Sequence, residues 1–316
     1  MKKILITGSS GFIGFHLAKN LSKIYKVIGL DNHNNYYSKK IKKKRLSILK
    51  KNKNFSFKKI DLKNKNELEK VFNKFKPSIV FHIAGQPGVL YSFKNPKSYK
   101  LNNTQTTNIV SNLCKKNNIE KLIFASSSSV YGDQKKFPIK EHFKTNPKNP
   151  YARTKIESEK IIFKNLKKSK TDFLIFRFFT VYGSFGRPDM FIHKFLNSIK
   201  NKKTIKLHNK GMNFRDFTYI DDVVSILKMS IDKKISKKIL NICRSKPILT
   251  LDLVKMILKI YGIKKANLRE TKFVKGEMLK THGSNMNLRK YFGKIKFTDI
   301  KKGIKYTIQN YKLHKM

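Results

Sequence analysis

The 316-residue chain predicts an α/β protein built on a doubly wound parallel sheet, with a smaller lobe toward its C-terminal end. Three observations carry that expectation. Short apolar, β-branched runs alternate with segments of helical periodicity through the first 180 residues. A glycine-rich turn follows the first of those runs directly. Beyond residue 181 the alternation loosens into short strands mixed with helices.

Residues 3–7 (KILIT) read as a buried strand. Residues 12–24 have helical periodicity, with Ile13, Leu17, Leu21 and Ile24 on one face. Further strands are expected at 27–30, ending at Asp31; at 55–60, ending at Asp61; and at 79–83, 122–125 and 173–178. A long helix is expected over 98–116, and another begins near Tyr151, behind Pro150. In the second half, strands are expected at 205–207 and 240–242, and helices at 191–201, 251–261 and 300–310. The chain thus divides into 1–180 and 181–316, with some later segments returning to the first part. It has no Pro- or Gly-rich linker and no internal repeat, so the lobes should pack together. They should meet at the carboxyl ends of the strands, where open α/β sheets bind ligands.

Composition narrows the function. Hydrophobic residues make up 39% and aromatics 12%, which excludes a disordered chain. No apolar run approaches the length of a membrane span. Lys and Arg total 72 against 19 Asp and Glu, a net charge of +53; only eight of the 72 are arginine, leaving 64 lysines. Such a surplus fits nucleic acid. The lysines, however, are spread along the whole chain, and Asn and Ile are abundant too, so a compositional bias explains them better. No specific nucleic-acid partner is expected. The densest run, KKIKKKR at 39–45, reads as a solvated face. Cys114 and Cys243 fit no disulfide framework, and no two histidines lie three or four apart, so no metal is expected. Two lysines before the first apolar run imitate a secretion signal, but Gly8-Ser-Ser-Gly11 breaks it and no cleavage pattern follows. A cytoplasmic enzyme is expected.

Gly8-Ser-Ser-Gly11-Phe-Ile-Gly14 opens the first helix. Glycines there permit a tight turn and a close backbone approach to a pyrophosphate, which the helix N-terminus attracts. Asp31, ending the second strand, stands where an acid accepts the ribose hydroxyls of NAD and repels a 2′-phosphate. Asp61-Leu62 stands where it would line an adenine pocket; for either aspartate a cap or turn is the alternative. Tyr-x-x-x-Lys occurs five times, where chance gives two or three, so the pattern alone says little. Tyr151 and Lys155 are singled out by Pro150 before them and by a serine run, Ser126–Ser129, after the fifth strand. On a helix, positions i and i+4 share a face, so the Lys155 ammonium should lower the Tyr151 pKa and make it a base toward a sugar hydroxyl. The run does not say which serine assists.

These residues resemble the extended short-chain dehydrogenase/reductases that act on nucleotide sugars. The likeness spans nearly the whole chain. It adds His82-Ile-Ala-Gly85, Ser126–Gly132 and Arg215-Asp-Phe-Thr-Tyr-Ile-Asp-Asp222 to the motifs above. Within that family the chain looks most like the UDP-glucuronate 4-epimerase branch, through Asp31-Asn-His-Asn-Asn-Tyr-Tyr37, Gly88-Val-Leu-Tyr-Ser92 and the segment from Arg177 to Met190. The resemblance implies a Rossmann-type fold, NAD as cofactor and a UDP-sugar substrate. It implies Ser127, Tyr151 and Lys155 as catalytic residues. Gly8, Gly11, Phe12, Ile13, Gly14, Asp31, Asn32, Asp61, Leu62, Ala84 and Lys155 would hold NAD. Gln86, Ser128, Thr180, Arg187 and Arg215 would face the substrate, with Arg215 as a diphosphate clamp.

Arg177, Arg187 and Arg215 are kept as arginine in a chain that has otherwise turned to lysine, which favours planar forks for phosphate or carboxylate. The sequence departs from the family at Leu90 and Lys275, where relatives carry arginine. Decarboxylases carry Glu, and dehydratases Asp-Glu, before Val130-Tyr131-Gly132; here Ser128-Ser129 precede it. A UDP-glucose/galactose 4-epimerase or a UDP-glucuronate decarboxylase is the nearer alternative, and a non-enzymatic RNA-binding protein the remote one. Relatives pair through a four-helix bundle, so a homodimer is expected through 98–116 and 151–168, weakened at low salt by the +53 charge.

Overall fold

The computed structural model describes residues 1–264, 266–274 and 276–313. The first apolar run becomes strand β1 (Lys3–Thr7), followed by helix α1 (Phe12–Leu21), β2 (Lys26–Asp31), α2 (Lys39–Lys50), β3 (Phe55–Lys59), α3 (Lys65–Phe75) and β4 (Ile79–His82). Strands β5 (Lys121–Ser127) and β6 (Asp172–Phe178) complete the first half. The strand Lys238–Ile242 returns to the same sheet beside β6, with Leu240 opposite Phe176. The seven strands are all parallel, in the order Lys238–Ile242, β6, β5, β4, β1, β2, β3.

The chain builds outward from β1 through β2 and β3, then crosses back to lay β4 on the other side of β1. That reversal opens a crevice beyond the ends of β1 and β4, the place where such sheets bind ligands. Alternate residues of each strand feed two cores. Ile4, Ile6, Ile123 and Phe176 pack on one face; Leu5, Val80, Leu122 and Ile175 on the other. The first core runs on without a break into Leu227, Leu253 and Tyr311, so the C-terminal half shares it. Among the described residues, three two-stranded ribbons lie in that half: Thr180–Tyr182 with Phe217–Tyr219, Phe214–Arg215 with Ile248–Leu249, and Ile205–His208 with Leu268–Thr271.

Several sequence expectations need correction. Helix α1 stops at Leu21, and Ile24, assigned to its apolar face, is 46% exposed. The chain turns there, with the Tyr25 amide donating back to the Leu21 carbonyl, and enters β2. The long helix expected over 98–116 begins at Pro96 and is interrupted. A wide π-helical stretch, Lys100–Gln105, separates Pro96–Tyr99 from Thr106–Lys116. It turns Asn103 inward, where its amide donates to Thr154 Oγ1 at 3.0 Å and its carbonyl accepts from the Gln86 amide at 2.6 Å. The basic run at 39–45 is not a solvated face: it forms the start of α2, and Lys42 and Arg45 are buried.

Helix Pro150–Leu166 is capped by Asn149, whose side chain accepts from the Ala152 amide at 2.9 Å. It is fastened to the sheet by a buried ion pair. Arg177 of β6 donates to both carboxylate oxygens of Glu159, at 3.0 and 2.7 Å, and Ser126 of β5 donates to the same carboxylate. The Arg177 fork expected from the sequence therefore closes on a protein carboxylate. Removing one partner leaves the other buried and unpaired. Arg177→Leu should thus lower stability by about 3–5 kcal/mol, read from denaturant midpoints, and Arg177→Leu with Glu159→Leu should be markedly less damaging than the single change. Equal losses would refute this assignment.

Candidate active site

Two glycines shape the crevice. Gly8 has φ +72°, and a Cβ there would lie 2.9 Å from the Ala84 backbone at the end of β4. A Cβ on Gly14 would lie 2.1 Å from the Gly8 carbonyl oxygen. Side chains are excluded at both, so α1 presses directly on the turn. Gly11 precedes the helix and no side chain caps it, so its first-turn N–H groups face the crevice unsatisfied, the arrangement that binds a pyrophosphate.

Asp31 accepts from the Ser10 amide at 3.1 Å and the His33 amide at 2.8 Å. Asp61 accepts from the Lys63 amide at 3.0 Å and from the Asn32 side chain at 3.3 Å. Both aspartates therefore also perform the turn role weighed against the cofactor role. Lys42 places its ammonium on Asn34, at 3.0 Å to the carbonyl and 2.8 Å to the side chain, and Lys63 pairs with Asp61 at 3.4 Å. Two carboxylates, with Lys42 engaged elsewhere and Lys63 held on Asp61, fit a ribose bearing free hydroxyls. The cradle thus fits NAD.

A cavity of about 440 Å³ extends from this turn across the ends of the strands, and every site residue expected from the sequence lines it, from Gly8 to Arg215. At its centre stand Tyr151 and Lys155. The Lys155 ammonium donates to the Ala125 carbonyl at 2.8 Å and lies 4.9 Å from the Phe124 ring centre and 6.0 Å from that of Tyr151. Burial pushes its pKa down to about 8, against the opposing pull of Glu159. For Tyr151 the net direction is opposite to the sequence expectation. Burial raises its pKa, and the hydrogen bond with Ser127 and the charge of Arg187 only partly offset it. Additional positive charge close by would favour the phenolate there.

The serine run resolves by its partners. Ser126 is committed to Glu159. Ser127 bonds Tyr151 and accepts from Ser129 Oγ at 2.9 Å. Ser128 lines the cavity. His82, in the fourth-strand motif, is buried between Thr7 at 2.8 Å and Thr107 at 3.2 Å; burial holds its pKa down to about 3, so it is a neutral structural residue.

At the far end, Thr180 opens its short strand, its amide donating to the Asp216 carbonyl at 3.1 Å. Gln86 is buried, and its side-chain nitrogen has no protein partner. Arg187 forks onto Asp189 at 3.0 and 2.6 Å, and the Tyr36 hydroxyl donates to the same carboxylate at 3.1 Å. Arg215 donates to the Phe214 and Leu279 carbonyls at 2.9 and 3.3 Å, with Glu277 3.6 Å away. The sequence reading gave Asp189, Tyr36 and Glu277 no role, although Tyr36 and Asp189 fall inside segments singled out there and Glu277 lies beside the departure noted at Lys275. Leu90 is 46% exposed on the rim of an adjoining cavity that Arg187 and Arg215 also line. Lys275 lies outside the described residues. Among those described, no cluster of His, Cys, Asp and Glu could hold a metal, and no helix is long and apolar enough to cross a membrane.

Residues 4–243 match the model of the NAD dependent epimerase/dehydratase family. The chain is 35% identical over 307 residues to a UDP-glucuronate 4-epimerase of Thermodesulfobacterium geofontis, covering 96% of this chain and 94% of that protein. It is 43% identical over 239 residues to protein CapI of Staphylococcus aureus, covering 74% and 70%. Among solved structures it resembles the UDP-glucuronic acid 4-epimerase of Bacillus cereus in complex with UDP-glucuronic acid and NAD, at 30% identity, a TM-score of 0.94 and 99% coverage of both chains. The glycine cradle, the Tyr151–Lys155 pair and a match over three quarters of the length agree: the chain belongs to the NAD-dependent epimerase/dehydratase family.

Proposed function

We propose that this protein inverts C4 of UDP-glucuronate to give UDP-galacturonate, through a transient 4-keto sugar. The observation that carries the substrate is the sugar end of the cavity. It offers Ser127, Ser128, Ser129, Thr180 and Tyr151, and the cation of Arg187 acts on Tyr151. Among the described residues of its lining, the carboxylates are Asp31 and Asp61, at the turn, and Glu277, held by Arg215. The acids that decarboxylases and dehydratases use are absent from Ser128 and Ser129. Chemistry at C4 then has no helper for bond breaking at C5 or C6.

NAD, when bound, supplies the acceptor and donor of hydride. The turn from Gly8 to Gly14, with Phe12 and Ile13, would hold its pyrophosphate. Asp31 and Asn32 would take a ribose, and Asp61, Leu62 and Ala84 the adenosine side. Tyr151 removes the proton of the 4-hydroxyl as a general base, and Ser127 hydrogen-bonds that oxygen. Lys155 and the positive nicotinamide ring supply the charge that burial of Tyr151 demands. Ser128 and Thr180 bind the carboxylate, Gln86 and Arg187 orient the sugar, and Arg215 clamps the diphosphate. Holding the carboxylate matters because a β-keto acid loses carbon dioxide easily. In this reading residues 1–180 hold NAD and 181–316 mainly the nucleotide sugar. In the same reading the enzyme works in the cytoplasm. It is a homodimer through Thr106–Lys116 and Pro150–Leu166.

The purified enzyme given UDP-glucuronate should yield UDP-galacturonate on chromatography without net NADH. UDP-xylose would make it a decarboxylase. No turnover, with UDP-glucose converted to UDP-galactose, would move it to the neutral-sugar epimerases. Tyr151→Phe should lower kcat by about 10²–10⁴. Burial already favours the neutral phenol, so kcat/KM should climb with pH; Lys155→Met removes a cation that favours the phenolate and should shift that rise about one unit or more upward in pH. A rise at unchanged pH would show that Lys155 does not tune the base. Sedimentation at increasing salt should show dimer gaining over monomer, and a monomer at every salt concentration would remove the dimer.

A further inference from the structure

The loop that delivers Arg187 is gripped at four successive carbonyls. His193 Nε2 lies 2.8 Å from the Gly183 oxygen, and His16 Nε2 lies 2.7 Å from that of Ser184. Arg45 donates to the Phe185 oxygen at 2.6 Å and the Gly186 oxygen at 3.1 Å. Two of these three side chains come from the NAD side of the molecule: His16 from α1, the helix behind the glycine turn, and Arg45 from α2.

Arg45 also reaches the turn itself. Its other terminal nitrogen donates to the Ser10 carbonyl at 2.9 Å and the Tyr37 hydroxyl at 2.8 Å. One fully buried guanidinium therefore bonds the phosphate turn with one nitrogen and the Arg187 loop with the other. Its partners are three carbonyls and a phenol, all neutral. Only a planar fork with donors on two sides makes this bridge; an ammonium reaches one side.

We propose that Arg45 is a positioning residue that couples the two ligands: seating of the pyrophosphate on the Gly8–Gly14 turn and seating of the nucleotide sugar against Arg187 each favour the arrangement that the Arg45 bridge holds. This rests on the reading that Arg187 faces the UDP-sugar. Coupling of this kind is reciprocal, so UDP should tighten NAD binding.

The test uses the holoenzyme and UDP as the probe, with the NAD dissociation constant measured by equilibrium dialysis. Saturating UDP should tighten NAD by about fivefold or more in the unaltered enzyme, and by less than about twofold in Arg45→Lys. A merely structural Arg45 would weaken NAD equally with and without UDP and leave that ratio intact, which would overturn the proposal. So would the absence of any UDP effect in the unaltered enzyme. If Arg45→Lys fails to fold, Tyr37→Phe removes only one brace of the guanidinium and should at least halve the UDP effect; an unchanged effect overturns the proposal. UDP that does not bind at all would instead refute the UDP-sugar reading, so the two failures are distinguishable.

Discussion

The close approach of α1 to the end of β1 is the constraint on which the site depends. With no Cβ possible on Gly14 over the Gly8 carbonyl, the helix axis starts at the floor of the crevice. Its unsatisfied N–H groups then point where the sheet order reverses. The same contact sets Gly8 against Ala84, which brings the end of β4 and the following Gln86 to the cavity wall. Position and field are thus set by one backbone packing event. Nothing in it needs a charged side chain, which suits an anion site built to take a cofactor.

The Tyr151–Lys155 pair is placed by a second device, electrostatic rather than steric. Glu159 lies one turn beyond Lys155 on the same helix and is locked to β5 by Ser126 and to β6 by Arg177. That lock fixes the rotation of the helix and so fixes where Lys155 and Tyr151 emerge. It also places a buried carboxylate within electrostatic reach of Lys155, opposing the burial that depresses its pKa. The price of burying Tyr151 is a phenol harder to ionise. Base chemistry at Tyr151, as proposed, would therefore draw on cations: Arg187 already acts on it, and a nicotinamide ring would add to it.

The parallel sheet was legible because buried strands leave continuous apolar runs, and Gly8, Asp31 and Asp61 were legible because they sit at strand ends. The expected site residues converge on one cavity for the same reason. What escaped reading depends on contacts between segments distant in sequence. Ile24 continues the period of α1, but period cannot show that the chain turns to meet β2. The π-helical stretch at Lys100–Gln105 exists because Asn103 must reach Gln86 and Thr154, and a helical wheel carries no trace of that. The serines of the run are equivalent as letters; only Glu159 and Tyr151 tell Ser126 from Ser127.

The basic run at 39–45 shows why composition misleads in a chain this rich in lysine. Four positions of the run, Lys39, Lys40, Lys43 and Lys44, are exposed, as a solvated face requires. Arg45 is different in kind. A guanidinium spreads its charge over a plane and satisfies two separated groups of carbonyls at once, which makes it tolerable where an ammonium would leave one side unbonded. The other arginines that matter obey the same rule: Arg177 forks onto Glu159 and Arg187 onto Asp189. In a chain this rich in lysine, these three arginines stand where a planar fork meets two acceptors at once. The sequence reading placed Arg45 in a solvated face with its basic neighbours, and only its buried contacts with the Ser10, Phe185 and Gly186 carbonyls set it apart.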